Sequence, residues 1–89
     1  MNLTAIEAAA NKLASAAEWH RDRTTFEDQR KGYAKRAADL RHIAMDAASA
    51  ADPEYPCTAS LESVTWWLEG DDELAELASI ETRVAPKGN

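Results

Sequence analysis

Three side chains able to ligate a metal stand close together in this sequence. Asp39, His42 and Asp46 lie three and four residues apart, a spacing that brings side chains onto one face of a helix. A zinc site of the usual kind needs further ligands from Cys or a second His. No Cys lies nearby, and His20 could join only through folding. A surface histidine flanked by carboxylates is the commoner use of such a triplet, so no metal and no other cofactor is expected. Cys57 is the single cysteine and follows Pro56 directly. A cysteine acts as a nucleophile only where an activating base and an orienting group converge on it, which a position in a proline-containing loop does not establish. Three glycines leave no phosphate-cradling loop, and no nucleophile elbow occurs. The chain reads as a protein that is not an enzyme.

The remaining chemistry is that of surfaces. Trp66 and Trp67 are adjacent, and neighbours on a helix point about 100° apart, so both cannot face one core. Leu61, Val64 and Leu68 mark the buried side of that segment. Trp67 falls at its edge and Trp66 nearly opposite. A tryptophan turned from its own core packs under another element or meets a partner, and tryptophan is enriched among binding hot spots. Glu69, Asp71, Asp72, Glu73 and Glu76 follow, five carboxylates in eight residues. Asp71 to Glu73 suit the start of a helix. As a group the five form a negative patch able to dock a basic groove on another protein, a nucleic-acid-binding groove included. They do not alternate as calcium ligands would, and no glycine holds the sixth position. Trp66, Trp67 and these five acids are the candidate partner-binding residues.

Trp19, Phe26, Tyr33 and Leu40 recur every seven residues, and Ala47 continues the series. The pattern reads as a helix–helix seam with rings facing the alanine surface of a neighbour. Heptad spacing also allows that neighbour to come from another copy. A base-stacking platform would want basic surroundings, whereas the net charge here is −6. Arg30, Lys31, Lys35, Arg36 and Arg41 form no single helical face. Glu27 precedes Lys31 by four and Asp39 follows Lys35 by four, so several are neutralised locally. A DNA-binding regulator using this basic segment is the alternative to a protein-binding module, and direct nucleic-acid contact is not the expectation.

Helices must position all of these groups. Thr4-x-x-Glu7 reads as a capping box opening a first helix over about 4–22, with the stripe Leu3, Ile6, Ala10, Leu13, Ala17. The Trp19 stripe would face nearly opposite on a continuous helix, so a turn is expected between residues 20 and 25. Thr24-x-x-Glu27 and Thr25-x-x-Asp28 offer a fresh start there, with Gly32 as the rival break point. The second helix runs over about 25–51. Asp52-Pro53-Glu54-Tyr55-Pro56-Cys57 is a loop, since two prolines cannot lie inside a helix, and Asp52-Pro53-Glu54 is read as one short helical turn. Thr58 caps a third helix over about 58–69. Gly70 ends it, Asp71 caps a last one over about 71–84 with the stripe Leu74, Leu77, Ile80, Val84, and 85–89 is a frayed tail.

Composition sets the scale of the object. The chain has 89 residues, room for one small domain. Alanine accounts for 19 of them and Leu, Ile, Val and Phe together for only 13, too few for a thick core. The expected fold is all-α: a small bundle of three to four helices, the first two long and antiparallel, with alanine-rich seams. Residues 1–51 carry a balance of +1 and residues 52–89 a balance of −7, an asymmetry that suggests the two ends meet different things. One cysteine permits no internal disulfide, the start lacks the pattern of a signal peptide, and no run of about 18 apolar residues occurs. The expected setting is cytoplasmic.

The functional expectation is a non-enzymatic module that modulates or inhibits a larger protein complex by occupying one of its surfaces. A protein partner is expected, and self-association as a homodimer is a second way for so thin a core to bury its stripes. A small, acidic, cysteine-poor helical chain is similar in general look to accessory proteins of phages and mobile elements, anti-CRISPR inhibitors among them. No motif carries that likeness.

Overall fold

In the computed structural model, which describes residues 1–84, four helices follow in order: α1 (Leu3–Arg23), α2 (Glu27–Ala50), α3 (Thr58–Gly70) and α4 (Asp72–Val84). The tail expected at 85–89 lies outside the described residues. The first helix starts earlier than the Thr4-x-x-Glu7 box implied. Asn2 is its cap, its side chain accepting the Ala5 N–H at 3.0 Å. Asparagine caps a helix at least as well as threonine, and starting there adds Leu3, which packs against the core.

The chain turns at Thr24–Phe26, and Gly32 lies inside α2. The Thr24 hydroxyl accepts the Phe26 N–H at 3.3 Å and donates to Gln29 Oε1 at 2.8 Å, while Arg30 donates to the Thr24 carbonyl at 3.1 Å. Phe26 holds the cap position with no side-chain cap of its own. In the proline loop the Asp52 carboxylate accepts the N–H groups of Glu54 and Tyr55 at 2.8 and 3.0 Å. This is an aspartate-capped turn and not the short helical turn expected there. Those two N–H groups, Tyr55 first, hold the Asp52 carboxyl below its usual range. Thr58 is the first residue of α3, and Cys57 takes the cap position instead.

The helices α1 and α2 lie antiparallel. His20 near the end of one stacks on Tyr33 near the start of the other, with ring centroids 5.1 Å apart, and Arg41 reaches back to Asn11, Ser15 and Glu18. Their seam is alanine: Ala9, Ala10, Ala14, Ala37, Ala44 and Ala47 are all buried. Methyl-sized contacts let two helix axes come near the close end of the roughly 8–10 Å range. Among the described residues only Leu40, Ile43, Val64 and Leu74 are large and fully buried, the last two brought in by α3 and α4. Helix α3 packs along α2, and α4 packs along α1. The result is the alanine-seamed all-α bundle that the composition implied.

Candidate functional site

Helix α3 carries its apolar side inward and leaves one side bare. Val64 is fully buried, and Trp67 and Leu68 pack against the core, whereas Leu61, expected on the buried side, is 39% exposed in the first turn of the helix. Trp66 stands 66% exposed, because 100° of rotation from Trp67 carries it past the contact with α2. The two rings meet edge to face with centroids 5.1 Å apart, so the half-buried Trp67 braces the exposed Trp66. Glu62 and Glu69, one turn before and after Trp66, are both exposed. Helix α4 does not fold over this side. Glu62 precedes Trp66 by four and is legible in the sequence by that spacing, but it stands apart from the acidic run that begins at Glu69.

The structure divides that acidic run. Arg36 of α2 donates to Asp71 through both terminal nitrogens, the longer contact at 3.3 Å, and to Glu73 at 2.9 Å. Asp71 also accepts the Leu74 N–H at 3.0 Å and so caps α4. Arg36 is the chief reason its carboxyl lies below the usual carboxylate range; the Leu74 N–H adds to the effect and partial burial opposes it. Asp71 and Glu73 therefore tie the α3–α4 corner to α2. Glu69, Asp72 and Glu76 stay exposed with no ion pair among the described residues.

The heptad series is split as well. Leu40 is fully buried and Tyr33 half-buried on His20. Trp19 and Phe26 are 52% and 66% exposed, which corrects the seam expected of them. The step from 19 to 26 spans the Thr24–Phe26 turn, so no single helix carries the phase across it. The Arg23 guanidinium lies 4.0 Å from the centre of the Trp19 ring, a cation–π contact.

The basic segment is locally matched. Lys31 pairs with Glu27 at 3.6 Å, Lys35 with Asp39 at 2.8 Å and Arg41 with Glu18 at 2.7 Å. Helix α2 thus shows no continuous stripe of unpaired basic groups among the described residues. His42 approaches Asp46 at 3.4 Å, while Asp46 also accepts from Ser63 at 2.8 Å and Asp39 is held by Lys35. The triplet is dispersed among other partners, and no group of three or more His, Cys, Asp or Glu side chains is placed to hold a metal among the described residues. Cys57 is half-buried at the start of α3. The Ser60 hydroxyl, and then its backbone N–H, favour the thiolate and draw the thiol below its usual value. No described helix is long and apolar enough to cross a membrane. No protein-family model matches the chain, and neither a curated protein nor a solved structure matches it.

Proposed function

We propose that this chain is a non-enzymatic binding protein that occupies a surface of a larger protein through the exposed side of α3, and modulates or inhibits that protein in the manner of a phage or mobile-element accessory protein. The exposure of Trp66 between Glu62 and Glu69 carries the reading. A tryptophan held by a half-buried neighbour loses little conformational freedom on docking, and so spends little of its burial energy on ordering. Two carboxylates a turn to either side, with Asp72 and Glu76 also exposed on α4, select a pocket rimmed by Lys or Arg and speed the approach to it. The partner is accordingly a protein with an apolar pocket inside a basic groove.

The test is capture from the source cell by immobilised wild-type chain and by Trp66→Ala, with the bound proteins identified by mass spectrometry. Trp66→Ala is expected to keep the helical circular dichroism and to lose the captured protein, since a hot-spot tryptophan is worth about 2 kcal/mol or more, roughly thirtyfold in affinity. Equal capture by both proteins, or loss of helicity in the variant, overturns the reading.

A further inference from the structure

Helix α3 is held from one side. It packs along α2 and meets α4 at their corner, and among the described residues it does not reach α1. Val64 is its one fully buried side chain, Trp67 and Leu68 are half-buried, and Leu61 is exposed. So narrow an apolar stripe does not fix how far the helix is rolled about its own axis, because apolar attraction has no direction. A competing roll is close at hand. Ser63 and Trp66 are three residues apart, about 60° around the helix. A roll through that angle would set Trp66 where Ser63 now meets α2 and turn Leu68 outward. It would trade a half-buried leucine for an exposed tryptophan, an exchange that burial alone favours.

Directional contacts choose between the two rolls. The ends of α3 are tied by the Cys57 N–H, which donates to the Ser49 carbonyl at 3.2 Å, and by Asp71 in the grip of Arg36. Between those ends, the side-chain hydrogen bonds from α3 to another helix all go to Asp46 of α2, among the described residues. The Ser63 hydroxyl donates to Asp46 Oδ2 at 2.8 Å, and the Ser60 hydroxyl stands 3.5 Å from Oδ1. His42, one turn earlier on α2, lies 3.4 Å from the same Oδ2 and is itself exposed. The Asp46 side chain is only 16% exposed, and a carboxylate so far withdrawn from water is costly to leave without its donor. The roll that covers Trp66 carries the Ser63 hydroxyl away from it. A polar contact of this kind specifies one arrangement where apolar packing allows two.

We infer that Asp46, through Ser63, sets the roll of α3 and keeps Trp66 turned to solvent: it is a positioning residue for the exposed side of α3 and touches no partner itself. Its bearing on binding rests on the role proposed above for α3, whereas the orientation stands without it. The test is the solvent exposure of each indole in the full isotope-labelled chain, read as the attenuation of its N–H signal by a soluble gadolinium chelate. Trp19→Phe, Trp66→Phe and Trp67→Phe assign the three signals. In wild type the Trp66 signal should be attenuated more strongly than that of Trp67. Loss of one hydrogen bond to a charged group shifts the balance between the rolls roughly tenfold or more toward the covered Trp66, so Ser63→Ala and Asp46→Ala should each remove most of that difference. Asp46→Asn should restore it, because the amide oxygen still accepts the Ser63 hydroxyl. A contact that only stabilises would lower the melting temperature and leave both indoles as they are in the folded chain. Unchanged attenuation in Ser63→Ala and Asp46→Ala at full helicity, or no rescue by Asp46→Asn, overturns the inference, and Ser63→Ala decides alone if Asp46→Ala loses its helical circular dichroism. In capture from the source cell, Asp46→Ala should lose the bound protein and Asp46→Asn keep it. Equal capture by Trp66→Ala and wild type sinks the role of α3, while the attenuation decides the role of Asp46, so the two readings fail separately.

Discussion

Arg36 offers the sharpest test of how the two halves of the bundle are joined. It is the one described side chain of α2 that grips both Asp71 and Glu73, and Asp71 in turn caps α4. The Asp71 side chain is 11% exposed and that of Arg36 32%. A hydrogen bond to a charged group in a buried site contributes about 1.5–3 kcal/mol. Solvent reaches a third of this guanidinium, and exposed pairs are worth well under that, so Arg36→Ala should cost about 1–2 kcal/mol. At about 4–8 °C per kcal/mol for a domain of this size, the melting temperature should fall by roughly 4 °C or more. Asp71→Asn keeps an oxygen for the Leu74 N–H and should cost about as much as Arg36→Ala. Asp71→Ala also removes the cap and should cost about 1 kcal/mol more. The pH dependence has a fixed sign. The Asp71 carboxyl is lowered in the folded chain, so its contribution is fully present above the unfolded value of about 3.9 and is lost as pH falls through the folded one. The gap between wild type and Arg36→Ala should then hold steady near neutrality and narrow below about pH 4. Thermal and urea unfolding from pH 7 downward measure it. A variant within about 0.3 kcal/mol of wild type at pH 7, or a gap that survives acidification undiminished, refutes the clamp.

Two further outcomes follow from buried and capping positions. Leu40→Ala opens a cavity at one of the four large, fully buried side chains and should cost about 3–4 kcal/mol in urea unfolding, enough to threaten a core this thin; a loss under about 1 kcal/mol would mean that the alanine seam collapses to fill the space. The Cys57 thiol should react with iodoacetamide with a pH midpoint below that measured for free cysteine under the same conditions, and Ser60→Ala should move that midpoint upward, whereas a midpoint at or above that of free cysteine contradicts the Ser60 contact.

Much of the fold was legible because periodicity and punctuation agree in it. Val64 and Leu68 lie on the inner side of α3 as their spacing implies, Leu61 of the same stripe stays exposed, and that side alone dictates that Trp66 and Trp67 part ways. Two prolines four residues apart exclude helix without help from tertiary structure. The boundaries failed where two residues competed for one role. Asn2 displaced Thr4 as a cap because helix α1 gains buried surface by starting sooner, and sequence does not show what surface is there to gain. Trp19 and Phe26 were misplaced because heptad counting assumes one continuous helix. Whether rings at a turn are covered depends on how far the next helices reach, and α3 and α4 stop short.

The uneven charge shows a different kind of misreading. A balance of +1 over residues 1–51 and −7 over 52–89 suggested that the two segments meet different partners. Part of that difference is spent between the segments themselves. Lys12 of α1 pairs with Glu81 of α4, and Arg36 of α2 pairs with Asp71 and Glu73 at the start of α4. Opposite signs on consecutive halves guide α4 onto α1 and the α3–α4 corner onto α2, where a core with four large, fully buried side chains specifies register only weakly. Acidic residues counted along a sequence therefore overstate what a partner can meet. Those to count are the ones left after the halves have docked, and Asp52, Glu54, Glu62, Glu69, Asp72 and Glu76 are exposed with no ion pair among the described residues. Two of the six, Glu62 and Glu69, flank Trp66 by a single helical turn. The same division that fixes the fold thus leaves part of its unmatched charge, Glu62 and Glu69, beside its most exposed tryptophan, which is where a basic groove with an apolar pocket would find both.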